Sequence, residues 1–328
     1  MDSLLYKPVS IGRLDIPGNL FLAPVAGYSD RAFRSICIAE GANLCYTEMV
    51  SAEALWRGSD KTEMLLLRGE NEAFFAPQIF GGEVDSMKKA TRILVEKYTP
   101  SLIDINAGCP VPKIIKSNAG SALTRDPRHL YAITKAVVDE AGSIPVTIKI
   151  RSGWDAKNLN WKETSQAAYE AGAQAICLHA RTRAQGYEGF ADWQILGELV
   201  AFIGNKLPVF GSGDVFSPEA AKEMLEKTGC HALMFARGAM GNPFIFRQTR
   251  DLLLSNSYEA TRIEDKVMRA MQELDLLIVD KGEELACREM RKRFSAYSKG
   301  LEGGGKMRLA IVSATKKADY EEIFKNFL

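Results

Sequence analysis

The sequence predicts a closed parallel barrel of alternating strands and helices, a (β/α)₈ TIM barrel, followed by a smaller all-helical C-terminal domain. Three observations lead there. Eight short apolar runs alternate with stretches of helical periodicity from Leu20 onward. After Asn242-Pro243 only helical spacing continues. The length of 328 residues exceeds one average domain yet suits a barrel of ~250 residues carrying an appendage.

Taken in order, Pro8–Asp15 reads as a small hairpin placed to plug the barrel floor. The expected strands are Leu20–Ala23, Leu44–Thr47, Phe75–Ile79, Leu102–Asn106, Val146–Ile150, Ala175–His179, Leu207–Gly211 and His231–Ala236. The expected helices between them are Asp30–Glu40, Ala52–Trp56, Val84–Lys97, Leu130–Glu140, Trp161–Ala171, Trp193–Ile203 and Pro218–Lys227. Ser29 or Asp30, Asp85 and Ser217-Pro218 are helix-start signals, and Gly41, Gly172 and Gly229 follow helix ends where a left-handed residue is wanted. In the tail, Ile263, Val267, Ala270, Met271, Leu274, Leu277 and Ile278 share one helical face. A second helix follows over about Glu284–Lys299, and at least one more reaches to Leu328. The expected division is residues 1–249 for the barrel and 250–328 for the helical domain.

Composition narrows the partners. With 46% apolar and 25% charged residues a large core is available, and a net charge of +1 means that a nucleic-acid partner needs a local basic patch. The six cysteines are scattered without a CxxC pair, which fits neither a zinc site nor a disulfide framework and suits a reducing cytoplasm. No signal layout opens the chain and no apolar run reaches spanning length, so a cytoplasmic protein without metal or membrane is expected.

In this fold chemistry gathers at the carboxyl ends of the strands. There the sequence places Ala23-Pro24-Val25-Ala26-Gly27, Glu48, Gln78, Asn106 with Cys109, Lys149 with Arg151, His179 with Arg181, Gly211-Ser212-Gly213-Asp214 and Ala236-Arg237-Gly238. Any one of these has an ordinary alternative: Cys109 as a small buried hydrophobe, Gln78 as a cap, His179 as a core histidine. Gathered at one rim they are harder to dismiss, because an unpaired buried polar group costs ~1–3 kcal/mol. The loop Asn106-Ala107-Gly108-Cys109-Pro110 holds a thiol between Gly and Pro, able to aim a proton donor. Gly211-Ser212-Gly213 and Arg237, after the last two strands, suit a phosphate. Gln78 and Lys149 face them as partners for the polar edge of a flat ring, with Lys149 placed to stabilise negative charge on a reduced flavin. No separate nucleotide-binding fold is visible, so a nicotinamide must visit from solvent.

The motifs Ala23–Asp30, Gln78–Gly81, Asn106–Pro110, Lys149–Trp154, His179–Arg183 and Arg237–Pro243 resemble the tRNA-dihydrouridine synthases, most closely the bacterial B-type branch. The likeness runs over about residues 17 to 305. It implies an FMN-dependent barrel with a helical tRNA-binding domain that reduces the C5–C6 bond of a D-loop uridine, with NADPH recharging the flavin. By that resemblance Cys109 is the proton donor to C5. Pro24, Val25 and Ala26 line the flavin, and Gln78 and Lys149 meet its ring edge. His179 lies near the ring and ribityl chain, while Ser212, Gly213, Asp214, Ala236 and Arg237 hold ribityl and phosphate. Asn106 meets the uracil edge, Arg181 or Arg183 the neighbouring nucleotide, and Arg288, Arg291, Lys292 and Arg293 the tRNA backbone. A monomer is expected. Three positions depart from the family pattern: Val25 where Met is common, Ser212 where Asn is common, and Ala236 where Gly precedes the arginine. Two other classes fit parts of the pattern. One is a flavin barrel acting on free pyrimidines, of the dihydroorotate dehydrogenase kind; the other is a non-catalytic RNA-binding barrel.

Overall fold

A computed structural model describes residues 4–301 and 303–327; Glu302 and Leu328, which fall in the expected tail segments, lie outside the described residues. The chain begins with the hairpin β1 (Val9–Ile11) and β2 (Leu14–Ile16), paired antiparallel. Eight parallel strands follow: β3 (Leu20–Leu22), β4 (Leu44–Ser51), β5 (Phe75–Phe80), β6 (Ile103–Ala107), β7 (Val146–Gly153), β8 (Ala175–Thr182), β9 (Val209–Ser212) and β10 (Ala232–Phe235). They close into a barrel when β10 pairs with β3, Leu233 opposite Leu20 and Phe235 opposite Leu22.

Each expected strand is present, and several run further than their apolar run. β4, β7 and β8 continue to Ser51, Gly153 and Thr182, and shifts of register interrupt the β4–β5 and β7–β8 pairs. These extensions carry polar side chains up to the rim, which is why hydrophobicity alone ends the strands too soon. The hairpin does seal the floor. Val9, Ile11 and Ile16 join Phe21, Leu44, Tyr46, Phe210 and Met234 in one buried cluster inside the barrel. A second, larger cluster lies between the strands and the helices around them.

Helix starts follow their local chemistry. Asp30 caps Arg31–Ala39 by accepting from the Phe33 N–H at 3.1 Å, and Ser217 caps Pro218–Thr228 by accepting from Ala220 at 3.2 Å. Asp85 does not cap. Glu83 holds that position before Val84–Ile93, without a side-chain bond, and the helix runs on as a π-turn over Leu94–Tyr98. The helix Ile245–Ser255 packs on Pro218–Thr228, so it belongs with the barrel's outer ring and spans the expected boundary at residues 249 and 250.

Beyond it stand Ile263–Lys281, Glu283–Tyr297, Gly304–Ser313 and Lys317–Phe327. These helices bury Leu274, Leu277, Met290, Phe294, Met307, Ile311, Tyr320 and Phe324 against one another, with Phe294 4.4 Å from Tyr320 ring to ring. Charge ties them to the barrel. Arg293, fully buried, bonds Asp30 Oδ2 at 2.7 Å and also pairs with Glu273, whose other oxygen accepts from Tyr297 at 2.9 Å. Arg31 pairs with Asp280, and Lys281 reaches Asp30 at 3.2 Å.

Arg293 is therefore not available to RNA, a correction to its expected role: the basic run Arg291-Lys292-Arg293 turns its third member into the core beside Met290 and Phe294. Removing one partner of a buried ion cluster leaves the others uncompensated, typically at ~3–5 kcal/mol. Arg293→Ala is expected to lower unfolding free energy by that order in urea titrations. A loss below ~1 kcal/mol would show that Asp30 and Glu273 do not depend on it.

Candidate active site

The two-residue period of the strands sorts their side chains between the barrel interior and the helices. On β6, Ile103 and Ile105 pack outward, while Asp104 and Asn106 share the inward face. On β7 the same parity turns Thr147, Lys149 and Arg151 inward. Register stacks them in layers: Asp104 stands opposite Gln78 on one side and Thr147 on the other, Asn106 opposite Lys149, Arg151 opposite His179, and His179 opposite Ser212.

One cleft at the carboxyl ends of the strands collects most of the predicted residues. Pro24, Val25, Ala26, Gln78, Asn106, Cys109, Lys149, His179, Ser212, Gly213, Asp214, Ala236 and Arg237 all line it. Met49, Arg151, Tyr187, Val215 and Phe216 line it too.

The cysteine loop is pinned from both sides. Asn106 Oδ1 accepts from the N–H groups of Gly108 and Cys109, at 3.1 and 2.9 Å. Arg151 Nε donates to the Gly108 carbonyl at 2.8 Å, and Ser121 Oγ donates to the Cys109 carbonyl at 2.9 Å. Across the loop, a Cβ on Gly120 would stand 2.8 Å from the Cys109 carbonyl, and its φ of +60° is one that glycine tolerates best. Burial pushes the Cys109 thiol above its ordinary range, more than the backbone bond from Val111 and the nearby Arg151 lower it. The side chain is partly accessible and protonated at neutral pH, a state suited to giving up a proton.

Opposite, at the exits of β9 and β10, Gly213 has φ +119° and Asp214 φ +59°. A Cβ on Gly213 would sit 2.7 Å from Ala191 Cβ and 3.1 Å from the His179 ring, so no side chain fits there. Arg237 lies 4.6 Å from the Tyr187 ring and 5.1 Å from that of Phe216, and bonds Asp214 at 3.2 Å. Lys149, Arg151, Arg181 and Arg237 all crowd His179, and burial above all, then these cations, hold its imidazole far below the usual histidine range. His179 is neutral at physiological pH. Its Nε2 faces Arg181 Nη1 at 3.4 Å, which requires a lone pair there and the proton on Nδ1. Asp214 balances part of this charge from the rim, and the remainder favours an anionic ligand.

The structure separates two predicted nucleotide contacts from the cleft. Arg181 is buried, donating to Asp214 at 2.7 Å and to the Gly189 carbonyl at 2.8 Å, so it fixes the loop instead of meeting a nucleotide. Arg183 stands 4.7 Å from the Trp154 ring, as does Arg125, and does not line the cleft. Of the basic residues on Glu283–Tyr297, Arg288 and Lys292 are exposed. Lys292 Nζ donates to the Gly27 carbonyl at 2.5 Å, close to the Pro24–Ala26 wall. Arg291 donates to the Ala314 carbonyl at 2.8 and 3.0 Å, closing the end of Gly304–Ser313.

Sequence reasoning passed over Asp104 and gave Arg151 no role. Asp104 is wholly buried, accepting from Gln78 Nε2 at 2.6 Å and Thr147 Oγ1 at 2.5 Å. A lone acid within an apolar strand was the available signal. Burial raises its carboxyl to about 6, although Thr147, Gln78 and Lys149 oppose the rise.

The closed barrel with a polar, cation-rich rim defines a (β/α)₈ enzyme. The chain belongs to the dihydrouridine synthase family, whose model, "Dihydrouridine synthase (Dus)", matches residues 21–327. A probable tRNA-dihydrouridine synthase of Treponema pallidum is 52% identical over 328 residues, covering 98% of this chain and 96% of the relative. The tRNA-dihydrouridine synthase B of Pseudomonas aeruginosa is 37% identical over 305 residues, covering 92% and 90%.

Among solved structures, a 2-naphthoyl-CoA reductase complex aligns with TM-score 0.61 at 13% identity over 76% of this chain. An old yellow enzyme homologue of Zymomonas mobilis aligns with TM-score 0.55 at 12% identity, over 80% of this chain and 96% of its own. The chain spans about half of the reductase, 52% of its length, and both likenesses concern the fold. Among the described residues no helix is long and apolar enough to cross a membrane.

A carboxyl raised in the fold from 3.8 to about 6 favours the folded state at low pH, and that contribution is lost as pH rises through 6. The cost of keeping Asp104 ionised is on the order of 3 kcal/mol. Asp104→Asn is thus expected to gain stability relative to wild type between pH 4 and pH 7.5, seen in unfolding titrations at both pH values. A gap that does not change with pH would show that Asp104 carries no such burden.

Proposed function

We propose that this chain is an FMN-dependent tRNA-dihydrouridine synthase, reducing the C5–C6 double bond of a D-loop uridine with NADPH as the ultimate reductant. The observation that carries it is that the Cys109 thiol, the Gln78 and Lys149 side chains and the Gly213–Arg237 cradle open into one cleft. The donor set suits FMN in particular. A glycine position closed to any side chain and an exposed arginine fork match a terminal phosphate, and a lysine on the opposite wall matches the electron-rich edge of the ring. Pro24, Val25, Ala26 and Ala236 give the flat apolar wall, and neutral His179 a hydrogen-bonding group beside it.

Bound there, FMN would supply hydride-transfer chemistry for uridine C6, with NADPH as the source of the electrons. The chain's own part is the proton. Hydride at C6 leaves negative charge across C5 and the C4 carbonyl, and Cys109, protonated at neutral pH, gives its proton to C5. Asn106 holds the loop that presents the thiol, and Arg151 braces it from the other side. Lys149 stabilises negative charge at the cleft wall. A stacked uridine must leave the tRNA fold to reach this depth. Arg288, Lys292 and Arg291 on the helical tail, with Arg183 beside Trp154, form the basic surface that takes the RNA backbone. The tail following Ser255 is the RNA-binding unit and the barrel the catalytic one, close to the expected division at residues 249 and 250. The protein acts as a monomer in the cytoplasm, where its six free cysteines are stable.

Cys109→Ala is expected to bind FMN and to accept electrons from NADPH, yet to lose at least ~10²-fold in dihydrouridine formation. Mass mapping of tRNA incubated with each variant measures this, and wild-type turnover by Cys109→Ala would overturn the assignment. The donor must keep its proton, so single-turnover rates are expected to hold through neutral pH and to fall as pH rises past the raised thiol value. Affinity for tRNA is expected to drop linearly with log salt, and a flat response would rule out the basic surface. A colourless preparation that takes up no FMN would remove the whole proposal.

A further inference from the structure

Asp104 sits at one end of a hydrogen-bonded relay whose other end is the cysteine loop. An ionised carboxylate can only accept, so Gln78 must turn its amide nitrogen toward it, Nε2 to Oδ2 at 2.6 Å. That leaves Gln78 Oε1 for Asn106, whose Nδ2 donates at 2.8 Å. Asn106 Oδ1 is then left for the N–H groups of Gly108 and Cys109, at 3.1 and 2.9 Å. Backbone N–H groups can only donate, so both ends of the relay demand the same direction. An amide turned over at either link would set donor against donor or acceptor against acceptor. Asp104 and Gln78 are fully buried and Asn106 is 8% exposed, so solvent offers little replacement for a lost partner. Thr147 Oγ1 holds the other carboxylate oxygen at 2.5 Å and so completes the anchor.

We propose that Asp104 is a positioning residue for the reaction at Cys109, fixing through Gln78 and Asn106 the orientation of the loop that carries the thiol. The inference rests on Cys109 being the proton donor, as proposed above, but the relay is built from this chain's own groups alone. It also joins two parts of the cleft: the side chain expected at the flavin's ring edge and the loop bearing the acid form one hydrogen-bonded unit. A change at Asp104 therefore reaches the thiol across two side chains, neither of which is adjacent in sequence.

The test is the alkylation rate of Cys109 by iodoacetamide in the full-length protein as purified, followed by mass spectrometry. The remaining cysteines are buried and serve as internal background. Asp104→Asn keeps an acceptor for Gln78, and thermal unfolding checks that it folds. The amide of the variant cannot accept from both Gln78 and Thr147 as the carboxylate does, so the anchor is weakened, the loop loosens and the rate is expected to rise on the order of fivefold. In a Gln78→Ala background, where the relay is already cut, the same substitution is expected to leave the rate unchanged. An unaltered rate in Asp104→Asn overturns the proposal, and so does an equal increase in both backgrounds, since the charge then acts through space. Should Asp104→Asn fail to fold, Thr147→Val frees the same carboxylate from its other side and is read by the same pattern. Flavin absorbance is recorded separately. A protein that shows the coupling but takes up no FMN overturns the proposed function and leaves the relay standing.

Discussion

The pairing of Ala232–Phe235 with Leu20–Leu22 closes the barrel, and every feature of the cleft descends from that closure. A closed parallel sheet has no free edge, and each residue's facing is set by parity and by the register with its two neighbours. One step of slippage in β6 would send Asp104 and Asn106 to the helices and bring Ile105 into the cleft. Closure also sets Ala236 and Arg237, from the last strand, beside Pro24–Ala26, from the first. The two walls of one cleft thus come from opposite ends of the barrel sequence, and neither exists until the ring is complete.

Within this frame the polar residues form layers instead of a scatter. Apolar side chains and the N-terminal hairpin fill the lower barrel, where Phe21 meets Phe210 edge to face at 5.2 Å. Above them lies the floor of Asp104, Thr147 and Gln78, then Asn106 and Lys149, then Arg151, His179 and Ser212. Charge density rises toward the mouth, and burial first, then the surrounding cations, keep His179 neutral. A neutral imidazole there can both donate and accept, which an imidazolium cannot.

Much of this was legible in the sequence. The eight strands announced themselves as apolar runs closed by Gly, Pro or polar residues, and the strand-end residues followed once the fold was recognised. What stayed hidden was non-local. Asp104 meets partners 26 and 43 residues away, and nothing near it in sequence shows which groups satisfy it. Arg181 looked like a rim residue because its strand continues past the apolar run, yet a register shift beyond the Arg151–His179 pair interrupts the alternation there, and the side chain bonds Asp214. The basic run on Glu283–Tyr297 concealed the opposite error. Met290, Arg293, Phe294 and Tyr297 share one face at helical spacing, so Arg293 is turned away from its charged neighbours and toward Glu273. A count of positive residues cannot see this; a helical projection can.

Asp30 performs two tasks with one carboxylate. Its Oδ1 caps the first barrel helix, immediately after the loop that forms one wall of the cleft, and its Oδ2 receives Arg293 from the tail. The appendage is thereby bolted to the same few residues that shape the mouth, with Lys292 touching Gly27 as a second fastening. A large, curved ligand laid across both parts would meet a caliper of fixed span instead of two surfaces on a swivel. Which of its residues arrives above the opening would then be decided by length along the ligand, with no need for the opening to tell one from another.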